Sequence, residues 1–144
     1  REAPAAEALS LVAGYACFND GSVRDYQRHS SQFTPGKNFE ASGGFGPWMV
    51  TPDEIPDPSQ LELTTRLDGE VLQHAFTRDL VFDIPQLIEY ITTFTTLEPG
   101  DVIATGTPGG VGDKREPPVY MRPGQTLEIE ISGVGTLVHP IAEA

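Results

Sequence analysis

Gly14-Tyr15-Ala16-Cys17-Phe18-Asn19-Asp20-Gly21-Ser22-Val23-Arg24-Asp25-Tyr26-Gln27 places two carboxylates, an arginine and an amide within eight residues, directly after an apolar run. The run from Leu11 to Phe18 reads as a buried strand. Asn19-Asp20 at its end would deliver the Asp20 carboxylate to the edge of a cleft. There Asp20 can ligate a metal, while Arg24 and Gln27 can hold an anionic oxygen substrate. Asn-Asp-Gly is equally an ordinary strand-ending turn, so the rest of the chain has to decide between the two readings.

Downstream, residues 36–46 are rich in glycine and carry Lys37, Asn38 and Ser42 before a short apolar strand candidate, Pro47-Trp48-Met49-Val50. A proline-punctuated loop follows over 51–58. Leu61, Leu63, Thr65 and Leu67 then alternate with Glu62, Thr64 and Arg66, which is strand periodicity. Asp68-Gly69 and the returning Glu70-Val71-Leu72-Gln73 make that strand half of a hairpin closed by a type I′ turn. Asp83 can cap a helix, with Gln86 at the capping-box position and Pro85 in the first turn. Leu87, Ile88, Ile91 and Phe94 are spaced as its apolar face, which predicts a helix over about 83–95. A shorter helix-like stretch covers Ala5 to Val12.

Asp101-Val102-Ile103-Ala104 reads as a buried strand running into Thr105-Gly106-Thr107-Pro108-Gly109-Gly110-Val111-Gly112. Thr126 to Ile131 and Thr136 to His139 read as two strands around Gly133 to Gly135. Many strands with one main helix predict an α+β, mostly β domain built as a sandwich or roll. There is no internal repeat and no low-complexity linker, so residues 1–144 are read as one domain.

Bulk chemistry narrows the function. The 144 residues carry 21 Asp and Glu against nine Lys and Arg, a net charge of −12. A nucleic-acid binder needs a basic footprint to displace counterions, and an anionic membrane surface would repel this chain. Arg24, Arg28 and Lys37, with His29 among them, nevertheless fall within fourteen residues. Such a patch on an acidic protein can focus a small anion, although surface ion pairing accounts for it equally well. The single cysteine, Cys17, sits inside the apolar run and reads as core, not as a nucleophile. A lone cysteine, no signal-peptide pattern and no membrane-length apolar stretch predict a cytoplasmic protein.

Neither G-x-x-x-x-G-K-[ST] nor a dinucleotide fingerprint is present, since Lys114 follows Asp113 and precedes Arg115. What the 105–112 segment can offer is oxyanion contact, through the Thr105 and Thr107 hydroxyls and glycine backbone N–H groups. A loop that uses glycine for sharp reversal explains it as well. Glu128 and Glu130 share one strand face, but alternation with Leu127, Ile129 and Ile131 makes that face the solvated side of an amphipathic strand. His29, His74 and His139 accompany no nucleophile motif. His74, with no acidic neighbour on its own strand face, reads as a surface histidine.

Taken in order, these segments resemble the fumarylacetoacetate hydrolase superfamily. Gly14-Tyr15 to Asn19-Asp20, Arg24-Asp25 and Gln27 match its G-Y-x-x-x-N-D-x-x-x-R-D-x-Q signature. Gly36-Lys37-Asn38-Phe39, Gly46-Pro47-Trp48, the 51–58 loop, Leu97 to Ile103, Thr105 to Gly112 and Gly133-Val134-Gly135-Thr136-Leu137 continue the match. Order and spacing agree from about Leu11 to Pro140.

The resemblance implies an FAH-like mixed β-sandwich roll. It also implies a divalent-metal enzyme (Mg²⁺ or Mn²⁺) acting on a small 2-oxo or β-diketo acid, with a homodimer as the expected assembly. By the same resemblance Asp20 is the metal ligand and Lys37 lies beside it. Arg24 and Lys37 are the catalytic candidates, while Arg24, Gln27, Gly106 and Thr107 are the substrate contacts. The expected reaction is hydrolysis of a carbon–carbon bond in an acylpyruvate-type substrate. Isomerisation or hydration of a 2-oxo-alkenedioate from aromatic breakdown, or an oxaloacetate-type decarboxylation, is the alternative. The family draws two more metal ligands from an upstream Glu-x-Glu strand, and a catalytic His and Glu from further upstream still. The chain is therefore expected to be the carboxy-terminal portion of the catalytic domain. A non-catalytic remnant or interaction module is the competing reading, against which the retention of Asp20, Arg24, Gln27, Lys37 and Thr107 stands.

Overall fold

The computed structural model describes residues 1–143. Its elements, in chain order, are α1 (Ala5–Ala8), β1 (Tyr15–Asn19), α2 (Arg24–Gln27), β2 (Gly44–Val50), β3 (Glu62–Leu67), β4 (Glu70–Phe76), α3 (Ile84–Phe94), β5 (Thr126–Ile131) and β6 (Gly135–Pro140). The strands form a two-stranded sheet, β1-β2, and a four-stranded sheet in the order β4-β3-β5-β6. Every ladder among the described residues is antiparallel. This is the α+β, mostly β architecture that the sequence predicts.

The β3–β4 hairpin turns at Asp68 and Gly69, whose φ values of 51° and 82° are the left-handed pair a type I′ turn demands. Alternation then sends Leu67, Leu127 and Ile129 inward, where they are 4–5% exposed. Burial of each such side chain is worth about 1.5–3 kcal/mol. Cys17 and Val50 from the smaller sheet and Ile55, Val134 and Leu137 complete this core. The Trp48 indole N–H donates to the Val134 carbonyl at 2.6 Å and fastens the two sheets together. On the opposite face of the larger sheet Glu130 meets Arg66 at 2.7 Å, as an amphipathic strand requires.

A second cluster joins α1 to α3 through Ala3, Ala8 and Ile88, with Ile103 packed against it. The Asp83 carboxylate accepts from the Gln86 N–H at 2.9 Å and the Gln86 amide oxygen accepts from the Asp83 N–H at 3.0 Å. That reciprocal box starts α3 where the sequence places it. The inward stripe differs from expectation: Thr92 is buried, while Phe94 is exposed and packs edge-on against Tyr90. Phe94 lies six residues past Ile88, about 120° around the helix, which carries it off the packed face. The N-terminal segment docks on the same helix, with the Ala3 N–H donating to Thr92 Oγ1 at 3.0 Å.

The expected strand at 101–104 is absent. These residues form no ladder, Val102 is 59% exposed, and Ile103 alone of the four packs into a core. Apolar composition fits a strand, but a strand also needs a hydrogen-bonded neighbour, and none lies beside this segment among the described residues.

Candidate functional site

Strand β1 ends at Asn19, opposite Gly44 of β2, so Asp20 is the first residue to leave the sheet. Gly21 presses against the backbone of Ser42, where a Cβ would fall 1.8 Å from the Ser42 carbonyl oxygen. No other residue fits that approach, which fixes the direction in which Asp20 departs. The chain then turns through α2, a single turn held by Tyr26 and Gln27 N–H groups on the Val23 carbonyl, at 3.1 and 3.0 Å. Arg24 and Gln27, three residues apart on that turn, meet side by side. The guanidinium donates to the Gln27 amide oxygen at 2.5 Å, and Gln27 is buried.

Lys37 reaches the site from a 3-10 turn over Thr34–Gly36. Gly36 lies flat on Gln27, where a Cβ would come 2.6 Å from the Gln27 Cα. The Lys37 ammonium therefore arrives at Asp20 and pairs with its Oδ2 at 2.5 Å. Both side chains are about one-third exposed, 27% and 36%. The pair faces an open cleft of ≈ 1830 Å³ whose walls include Arg24, Gln27, Thr105 and Thr107.

The glycine-rich loop forms the far wall. The Gln73 side chain donates to the Pro108 carbonyl at 2.9 Å. Arg115 donates to the carbonyls of Gly110 and Leu72 at 3.1 and 2.5 Å. Asp113, just beyond the loop, accepts from Arg28 at 3.0 Å, tying this wall to the segment that carries Arg24 and Gln27. Thr105, Gly106 and Thr107 are exposed to the cleft.

The structure thus joins Asp20 to Lys37 and Arg24 to Gln27, and lines one cleft with all four together with Gly106 and Thr107. His29 is not among the cleft residues, and its ring packs on Tyr26 with centroids 4.9 Å apart. His74 is exposed, as expected, but it does have an acidic neighbour. Glu62 lies diagonally across the β3–β4 ladder, with Oε1 2.6 Å from His74 Nε2. Sequence spacing could not show this, because the contact depends on the register between strands. Sequence reasoning also passed over Asp113 and Arg115, although a charged Asp-Lys-Arg run directly after a glycine loop is a signal for a brace. Cys17 is fully buried, and burial pushes its thiol above the ordinary range, which makes it core and a poor nucleophile.

Asp20 fits one position in the oxygen shell of a hard divalent cation. Among the described residues no group of three His, Cys, Asp or Glu side chains could hold such an ion. The residues present therefore supply a ligand, not a complete set. No helix among them is long and apolar enough to cross a membrane.

Residues 1–142 match the family model described as the C-terminal part of fumarylacetoacetate (FAA) hydrolase. The chain spans about half the length of the curated relatives it matches. One of these, from Burkholderia cenocepacia (strain HI2424), has a name that offers hydrolase only as a conjecture. It is 48% identical over 132 residues, which is 90% of this chain and 47% of the relative. Among solved structures, a 2-hydroxyhepta-2,4-diene-1,7-dioate isomerase from Mycobacterium marinum superposes with a TM-score of 0.87 at 40% identity, over 99% of this chain and 52% of that one. A maleylpyruvate hydrolase from Sphingobium sp. SYK-6, in complex with manganese(II) and pyruvate, gives a TM-score of 0.84 at 35% identity, over 99% and 48%.

Proposed function

The chain belongs to the fumarylacetoacetate hydrolase family, and from that premise we propose that it supplies the Asp20 half of a divalent-metal hydrolase for acylpyruvate-type 2-oxo acids. The observation that carries this reading is the Asp20–Lys37 pair at 2.5 Å on the wall of the cleft. A carboxylate and an ammonium held together in partial exposure, on a strand end fixed by Gly21, make a site for an anionic oxygen substrate.

In such a hydrolysis, water adds to the acyl carbon and the bond to the neighbouring methylene carbon breaks. Its electron pair passes to the 2-oxo acid fragment as an enolate, which takes up a proton to give pyruvate. Asp20 would hold the cation, Mg²⁺ or Mn²⁺, and the bound ion supplies Lewis-acid polarisation of the substrate oxygens. Lys37 keeps a positive charge beside the oxygens on which the enolate charge develops. Arg24, locked by Gln27, presents a guanidinium of fixed orientation to a carboxylate. The Gln27 oxygen is spent on Arg24, so its NH₂ end remains to donate to substrate. Thr107 and the backbone N–H of Gly106 would contact the substrate carboxylate from the opposite wall.

The maleylpyruvate hydrolase neighbour, with manganese and pyruvate bound, supports both the metal and the pyruvate fragment. The isomerase neighbour from Mycobacterium marinum favours a second reading, double-bond migration in a 2-oxo-alkenedioate, in which the same enolate is reprotonated elsewhere with no bond cleaved. The test is turnover of acetylpyruvate by the full-length protein with Mg²⁺ or Mn²⁺, followed as pyruvate formed. Asp20→Ala should abolish it while the circular dichroism spectrum stays native. Full activity in that variant, or activity indifferent to a chelator, would sink the assignment.

A further inference from the structure

Among the described residues, the loop that carries Gly106 and Thr107 makes no backbone–backbone hydrogen bond between 102 and 110. Side chains fix it instead. The Gln73 amide donates to the Pro108 carbonyl at 2.9 Å, and Arg115 Nε donates to the Gly110 carbonyl at 3.1 Å. The other arm of the same guanidinium, Nη2, donates to the Leu72 carbonyl at 2.5 Å. Both anchors therefore stand on neighbouring residues of β4. The ladder there pairs Thr65 with Gln73 and Arg66 with Val71, which leaves Leu72 between them as a bulge residue without a partner. Its carbonyl is free to accept from Arg115, and Gly110 lies so close that a Cβ would fall 2.2 Å from the same oxygen.

We propose that Arg115 is a positioning residue: its forked guanidinium holds the 105–110 loop on the β4 bulge and so sets the affinity for the substrate carboxylate. This rests on the reading above in which Gly106 and Thr107 receive that carboxylate. Arg115 is half-buried and is not itself among the residues that line the cleft. Although the chain is strongly acidic, Arg115 joins none of the ion pairs among the described residues, and its donors go to carbonyls instead. Its own turn is anchored, because the Arg115 and Val119 N–H groups both donate to the Gly112 carbonyl, at 3.2 and 3.0 Å. A planar fork can bridge two carbonyls at once, which an ammonium on a flexible stem does poorly. A loop already ordered loses less conformational entropy when an anion binds, so the brace acts on binding more than on chemistry. The Arg28–Asp113 pair does not substitute for it, since neither partner reaches residues 102–110.

The experiment compares wild type, Arg115→Met and Arg115→Lys in the full-length protein, by limited proteolysis with proteinase K and by kinetics on acetylpyruvate. Arg115→Met should speed cleavage within 102–112 about tenfold, with no new cuts elsewhere. It should raise KM about tenfold while kcat stays within about twofold. Arg115→Lys, which keeps the charge but not the fork, should fall between. Unchanged cleavage or an unchanged KM in Arg115→Met overturns the proposal. So does cleavage spread along the chain with kcat and KM both impaired, which marks Arg115 as part of the fold. If Arg115→Met does not fold, Arg115→Lys decides alone, and a wild-type KM in that variant overturns the assignment. Should the wild type not turn over acetylpyruvate, the hydrolase reading falls by itself. Arg115 is then judged by loop cleavage together with calorimetric binding of pyruvate. Faster cleavage with weaker binding upholds it, and equal binding in wild type and variant overturns it.

Discussion

Lys37 and Asp20, seventeen residues apart in sequence, meet at 2.5 Å, and neither is buried. A surface pair of this kind contributes little to folding, about 0–1 kcal/mol, so its placement serves the cleft more than the fold. One substitution separates the roles. Lys37→Met removes the ammonium but keeps the length of the stem. On the proposed acylpyruvate hydrolysis it should lower kcat about 100-fold, with little change in KM or in the urea midpoint. A Lys37→Met enzyme with unchanged kcat would remove the lysine from the chemistry.

Gly21 sets where that pair stands. Its missing Cβ would lie 1.8 Å from the Ser42 carbonyl oxygen, and backbone cannot swing aside as a side chain does. Gly21→Ala should therefore destabilise the protein by about 1–3 kcal/mol, as overpacking does. It should also weaken metal affinity by moving Asp20. Urea melts and metal titration on the same preparation would show whether both effects appear. A variant of native stability and affinity would mean that the 42–43 backbone yields freely.

The cap of α3 makes a prediction confined to stability. Asp83 and Gln86 satisfy each other's backbone N–H groups, and neither lines the cleft that holds Asp20 and Lys37. Asp83→Ala should cost about 1 kcal/mol and leave kcat unchanged. Thermal melting read beside activity tests this. A loss of activity at temperatures where the variant is still folded would show that the cap governs how α3 presents Ile84 and Leu87 to the cleft.

Features of local origin were legible in the sequence. Asp68-Gly69 dictates its own turn, Asp83 to Gln86 its own cap, and Arg24 with Gln27 fall three residues apart on one helical turn. Features that depend on a partner across the fold were not. Val102 and Ile103 read as strand, but a ladder needs a neighbour that composition cannot reveal. Glu62 finds His74 only through the β3–β4 register, and Arg28 finds Asp113 across 85 residues. The Asp20–Lys37 contact belongs to the same class. Resemblance to a family supplied it, where spacing alone could not.

Cys17 yields a pH dependence with a definite sign. The side chain is fully buried, its Sγ lies 3.4 Å from the Gly135 carbonyl oxygen, and burial raises its pKa above the ordinary thiol value of 9.0. In the unfolded chain the thiol ionises at that ordinary value, while in the folded chain it holds its proton to higher pH. Above about pH 9 the unfolded state therefore binds fewer protons than the folded state, and stability falls as pH rises. The loss stops growing once pH passes the folded thiol's own raised pKa. Tyr15, also raised by burial, adds a loss of the same sign from its own ordinary value of 10.0 upward. Urea midpoints measured at pH 7.5 and pH 9.5 should thus fall more steeply in the wild type than in Cys17→Ala, even though Cys17→Ala is the less stable protein at the lower pH. Equal slopes in the two proteins would show that the thiol ionises as readily folded as unfolded. They would also contradict its position in the core, a conclusion that slow reaction of Cys17 with an alkylating reagent under native conditions would check independently.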